Sequence, residues 1–158
     1  DAAVLAVGKA ALPHLGPAGP NPPLLDILPA EGLKKDRTSY FHSEINLNNR
    51  FFVASENILT LDRGTECVFA EYGEGTESGG SLLVVAYPED RRAETAFRTF
   101  LAAYMPEGKE TGIVRTESGR WTAVRVRGRY VSVVFDAPSR ERADALQNTI
   151  ALPGRKTP

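Results

Sequence analysis

The segment LLVVAYPEDRRAETAF at residues 82–97 has a near echo in VSVVFDAPSRERADAL at 131–146. Placing Pro88 on Pro138 also places Arg92 on Arg142, Ala93 on Ala143 and Glu94 on Asp144, all at an offset of fifty. In both copies an apolar strand leads through proline into an amphipathic helix. The residue before a proline is pushed towards extended angles, so the strand cannot run straight on into its helix. Each copy therefore turns a corner and lays a helix back over a sheet. The simpler expectation is two strand–helix units covering one common sheet. A pseudo-twofold pair of half-sites is the functional alternative, and both readings stay open at this point.

The rest of the chain supplies that sheet. TSYFHSEI at 38–45 reads as a strand, and NLNNRFFVASENIL then switches to a helical pattern. Asn46 or Asn48 is placed to cap that helix, and Phe52, Ile58 and Leu59 would share one side. In TECVFAEYG, Cys67 and Phe69 alternate with Val68, Ala70 and Tyr72, as on a strand. GEGTESGG is a glycine-rich hairpin loop, and SLLVVAYP is a strand apolar over most of its length. After Pro88, the residues Ala93, Ala96, Phe97, Phe100, Leu101 and Tyr104 recur at helical spacing as one apolar stripe. Phe97 and Phe100 are the expected anchors of that stripe.

A meander follows: TGIVRTE, RWTAVRVR and RYVSVVFD, with Gly128–Arg129 suited to a type II′ turn. The last helix is PSRERADALQNTIAL. The predicted fold is α+β: an antiparallel sheet of about five or six strands, with helices at 89–105 and 138–151 packed mainly on one face. By domain, residues 1–23 read as an N-terminal helix (2–15) and a Pro/Gly-rich linker, 24–152 as a single α+β domain, and 153–158 as a frayed tail.

Composition narrows the chemistry. A chain of 158 residues is one domain by the usual prior and long enough to bury a full core. The net charge of −1 offers no global field for nucleic acid or an anionic membrane. The one cysteine, Cys67, allows no internal disulfide, and two histidines, His14 and His42, leave little for zinc. No metal or cofactor is expected. The sequence begins at Asp1 and its single methionine is Met105. That start fits removal of an export signal, although a trimmed cytoplasmic chain would look the same.

Motifs of catalysis are sparse. His42, Ser43 and Glu44 are consecutive, yet neighbours on a strand point to opposite faces and do not meet. There is no G-x-S-x-G elbow, Walker loop or H-E-x-x-H. Glu71, Glu74 and Glu77 offer carboxylates, which in a glycine-rich hairpin read as solvated loop charges. The better-shaped feature is the meander's arginines. Arg125 and Arg127 share a strand face with Trp121, and Arg115, Arg120 and Arg129 are expected nearby. Such a face can hold phosphate, carboxylate sugars or single-stranded nucleic acid, but a solvent-facing antiparallel sheet shows the same alternation, and that reading is preferred. Cys67 reads as a buried inert thiol.

The segments LLDILPAEG, SYFHSEINLNN, FAEYG, LLVVAYPEDRRAETAF and VVFDAPSRERADAL resemble an uncharacterised bacterial family of exported proteins, a domain of unknown function. The resemblance covers roughly residues 24–152. It implies a compact α+β domain with an extracytoplasmic address, periplasmic or lipid-anchored, and transfers no catalytic residue. The expected function is a non-catalytic binding or protein-interaction module, with another envelope protein or an anionic small molecule as partner. The alternative is a small-molecule or anion-binding enzyme or carrier using the Arg-rich face and His42.

Overall fold

The computed structural model describes residues 19–153 apart from Thr76. The expected N-terminal helix at 2–15, His14 and the tail beyond Pro153 lie outside the described residues. Six strands form one sheet: β1 (Leu33–Phe41), β2 (Glu66–Tyr72), β3 (Gly80–Ala86), β4 (Ile113–Arg115), β5 (Trp121–Arg127) and β6 (Tyr130–Ala137). Their order across the sheet is β1-β2-β3-β6-β5-β4, and every neighbouring pair is antiparallel. Among the described residues three α-helices accompany them: α1 (Glu44–Asn48), α2 (Asp90–Tyr104) and α3 (Arg140–Asn148). The architecture is an open-sheet α+β fold, as the sequence predicts. Among the described residues no helix is long and apolar enough to cross a membrane.

The two central strands, β3 and β6, belong to the two copies of the repeat, and they pair with each other. Leu83 lies opposite Val133, its own counterpart at the offset of fifty. The sheet is covered on both faces, which is why SLLVVAYP is apolar throughout instead of alternating. On the first face, Cys67, Phe69, Leu83, Val85, Val131, Val133 and Phe135 pack against Ala93, Ala96, Phe100 and Leu101 of α2, and against Leu47, Val53, Ile58, Leu59 and Leu61. On the second face, Val68, Ala70, Leu82, Val84, Ala123 and Val134 pack against Ala143 and Leu146 of α3. Leu24 and Ile27, from the expected apolar segment LLDILPAEG, complete that layer.

This corrects the expectation that both helices lie mainly on one face. They lie on opposite faces, and the cause is one extra residue. Along β3 the alternation is unbroken: Leu83, Val85 and Tyr87 face α2, and Leu82, Val84 and Ala86 face away. Along β6, Val133 and Phe135 also face α2, but Ala137 joins the α3 side with Val134. Between them, Asp136 has φ +51°, and the β5–β6 register shifts between Trp121↔Ala137 and Ala123↔Val134. The additional residue in β6 is a bulge, which reverses the side-chain parity of everything after it. Tyr87 and its counterpart Ala137 thus enter their prolines from opposite sides of the sheet. Gly80, at φ +98°, lies beside the bulge, where a Cβ would come within 3.1 Å of the Ala137 Cα and the Phe135 carbonyl oxygen.

Two other expectations change. The first strand runs over Leu33–Phe41, not 38–45, because Ser43 caps α1 by accepting a hydrogen bond from the Asn46 N–H. The predicted helix over NLNNRFFVASENIL stops at Asn48. Asn48 bonds the Val53 N–H and the Ala54 carbonyl, and Asn57 does the same with both backbone groups of Leu61. Side-chain amides that satisfy backbone groups in this way compete with helix formation. Ile58 and Leu59 are buried there, but Phe52 is 66% exposed and shares no face with them.

Candidate functional site

The β5–β6 hairpin closes on the pair Arg127↔Tyr130, with Gly128 and Arg129 as its two turn residues. Gly128 has φ +54° and Arg129 does not have a positive φ, which is the type II′ pattern the sequence predicts. The turn is tied to the end of β3. The Tyr87 N–H donates to the Arg129 carbonyl at 2.9 Å, and Arg129 Nη1 donates to the Tyr87 carbonyl at 3.3 Å. The Arg129 guanidinium also stands 5.2 Å from the centre of the Tyr130 ring, within cation–π range. Beside this hairpin an open groove of about 630 Å³ is lined by Asp90, Arg127, Gly128, Arg129, Tyr130, Leu152 and Pro153. Arg127 is exposed and its guanidinium has no hydrogen bond or ion pair among the described residues.

The remaining candidates are dispersed. Arg125 shares a face with Arg127 and Trp121 as expected, but that face is covered by α3 instead of open to solvent. Its guanidinium donates to Asp144 Oδ1 at 2.6 Å and to Asn148 Oδ1 at 2.5 Å, both on α3. Arg125 is thus a clasp between strand and helix. Trp121 is half-buried and packs into the same layer. Arg115 ends β4 and Arg120 immediately precedes β5, at the far end of β5 from Arg127. Arg115 donates to the Gly119 carbonyl at 3.2 Å, and Arg120 to the Ser78 carbonyl at 3.1 Å. Strand β5 rises about 20 Å over its seven residues, so the six candidates of the meander do not form one cluster.

His42 stands apart from all of them. Its Nδ1 meets the Thr65 carbonyl, and its ring lies edge-on to Tyr40 at 5.1 Å. It follows β1, four strand intervals or about 19 Å across the sheet from β5. Cys67 is fully buried, and that burial pushes its thiol up to about 12. Among the described residues no group of three His, Cys, Asp or Glu side chains is placed to hold a metal ion. The hairpin carboxylates Glu74 and Glu77 are exposed, as expected for loop charges.

Two side chains that matter here are not among the site candidates read from the sequence. Gln147, fully buried on α3, accepts from Ser132 Oγ at 2.5 Å and donates to the Ala123 and Ser132 carbonyls at 3.1 Å each. Arg142 lies beside Gly32, at the opposite end of the sheet from the Arg127 groove. Only Arg142 had a signal in the sequence, its alignment with Arg92. Searches of family models, of curated proteins and of solved structures found no match to the chain.

Proposed function

We propose that this domain is a non-catalytic, extracytoplasmic binding module that grips an acidic segment of a partner protein in the β5–β6 groove. The observation that carries the reading is the exposed Arg127, with no hydrogen bond or ion pair among the described residues, beside Arg129, Tyr130 and Leu152 in one open groove that Asp90 also lines. Two guanidiniums with an aromatic ring and an apolar wall suit a carboxylate flanked by an apolar side chain. An open groove does not exclude water, which reaction chambers commonly do. The usual nucleophile and base are also poorly placed: Cys67 is buried with a raised pKa, and His42 is remote from every arginine of the groove. The extracytoplasmic address rests on the resemblance to exported bacterial proteins.

A second reading is an anionic small molecule, since 630 Å³ lies in the range of small-ligand sites. One titration separates them: fluorescence anisotropy with a labelled Glu/Phe peptide, competed by small carboxylates and inorganic phosphate. The expected result is peptide binding weakened at least ~10-fold by Arg127→Ala with Arg129→Ala, as two charge-assisted contacts are lost. Competition by a small anion at lower concentration than the peptide would favour the second reading. No binding of either class would overturn both.

A further inference from the structure

The fifty-residue offset pairs Arg92 with Arg142, and the two guanidiniums have different surroundings. Arg92 Nη2 holds Asp62 Oδ2 at 2.8 Å and reaches the Thr60 carbonyl at 3.4 Å. Asp62 in turn accepts from the Gly64 N–H at 2.8 Å, and a Cβ on Gly64 would touch Pro88 at 3.5 Å. This is a closed arrangement of proline, glycine, arginine and carboxylate. At the other end of the sheet the second arginine also stands near a proline and a glycine, but among the described residues no carboxylate is bonded to it. Arg142 lies against Gly32, where a Cβ would come within 3.2 Å of its Nη2, and it shares a groove with Pro138. Among the described residues its guanidinium has no hydrogen bond or ion pair, although it is half-buried.

Where Arg92 has Asp62, Arg142 has a groove of about 430 Å³. Arg120 lines it too, oriented by its bond to the Ser78 carbonyl. A half-buried cation without an anion costs stability, and a ligand carboxylate would supply the missing partner. The same groove is rimmed by Glu31, Glu74 and Glu77, which oppose a plain anion but suit an ammonium.

We propose that Arg142 and Arg120 hold the carboxylate of a small zwitterion of the amino-acid class, whose ammonium faces Glu31, Glu74 and Glu77. The ligand carboxylate takes the place that Asp62 occupies beside Arg92. This site lies at the opposite end of the sheet from the Arg127 groove and does not depend on it.

The test is a two-dimensional NMR titration of the full chain with 6-aminohexanoate, and with hexanoate as the same chain lacking the ammonium. Saturable shifts are expected at the Gly32 and Gly73 amides and the Arg142 Nε–H, with hexanoate binding several-fold more weakly. Arg142→Lys loses the planar fork and is expected to weaken binding at least ~10-fold, with an unchanged melting midpoint showing that the fold is intact. Arg127→Ala leaves this titration unchanged, which separates it from the groove of the proposed function. Unmoved resonances, or equal binding by Arg142→Lys, would overturn the site. Equal binding of hexanoate overturns the part given to the three glutamates.

Discussion

Cys67 is surrounded by Phe41, Phe69 and Tyr87 in the layer under α2, and desolvation is the first cause of its raised pKa. At pH 8 almost none of it is thiolate, so a thiol reagent should leave the native chain unlabelled and take up one equivalent after unfolding. Rapid labelling of the native chain would contradict the burial. Asp62 is the opposite case. The hydrogen bond from Arg92, and then that from the Gly64 N–H, hold its carboxyl below the usual carboxylate range. A depressed carboxylate contributes stability that is present above its unfolded-state pKa and is lost as pH falls through its folded-state value. Asp62→Asn should therefore flatten the acid limb of stability below about pH 4, measured by denaturant unfolding. The group is exposed, so the effect is small and should shrink in high salt.

At the scale of elements, the α2 stripe was legible because 3.6-residue periodicity is a local property. Its depth was not. Phe100 is fully buried against Phe135, but Phe97 is half-buried at the rim of the same layer. Phe100→Ala should cost about 3–5 kcal/mol and Phe97→Ala distinctly less, by equilibrium denaturation. Equal costs would contradict the burial of the helix. The bulge yields a second prediction. Asp136 has a left-handed φ that aspartate tolerates better than a β-branched residue does. Asp136→Gly should be neutral or stabilising by up to about 1 kcal/mol, whereas Asp136→Val should cost about 1–3 kcal/mol. The predicted helix after Asn46 failed for an equally specific reason. The amides of Asn48 and Asn57 find backbone partners in a loop, and only the folded loop shows which ones.

For the whole molecule, the order β1-β2-β3-β6-β5-β4 buries the repeat's two strands at the centre and leaves β1 and β4 as edges. The edge β1 departs from regular pairing between Leu33 and Thr38, across the charged run Lys34–Arg37, which discourages strand addition. Hydrogen exchange should be slowest for Leu82–Val85 and Val131–Val134, at the rate of global unfolding, and much faster in the three-residue β4. Comparable protection in β4 would argue against the strand order. The sequence by itself determined the strands of the meander, the type II′ turn, the two strand–proline–helix corners and the antiparallel α+β class. Each of these follows from local periodicity, glycine or proline. Only the tertiary structure decided which face each helix covers, because one left-handed aspartate reverses parity without altering the pattern around it. Tertiary structure likewise divided the arginines among distinct roles: Arg125 clasped to α3, Arg127 open to a groove, Arg92 paired and Arg142, among the described residues, unpaired. A side chain's partners come from distant segments, and residue spacing carries no record of them.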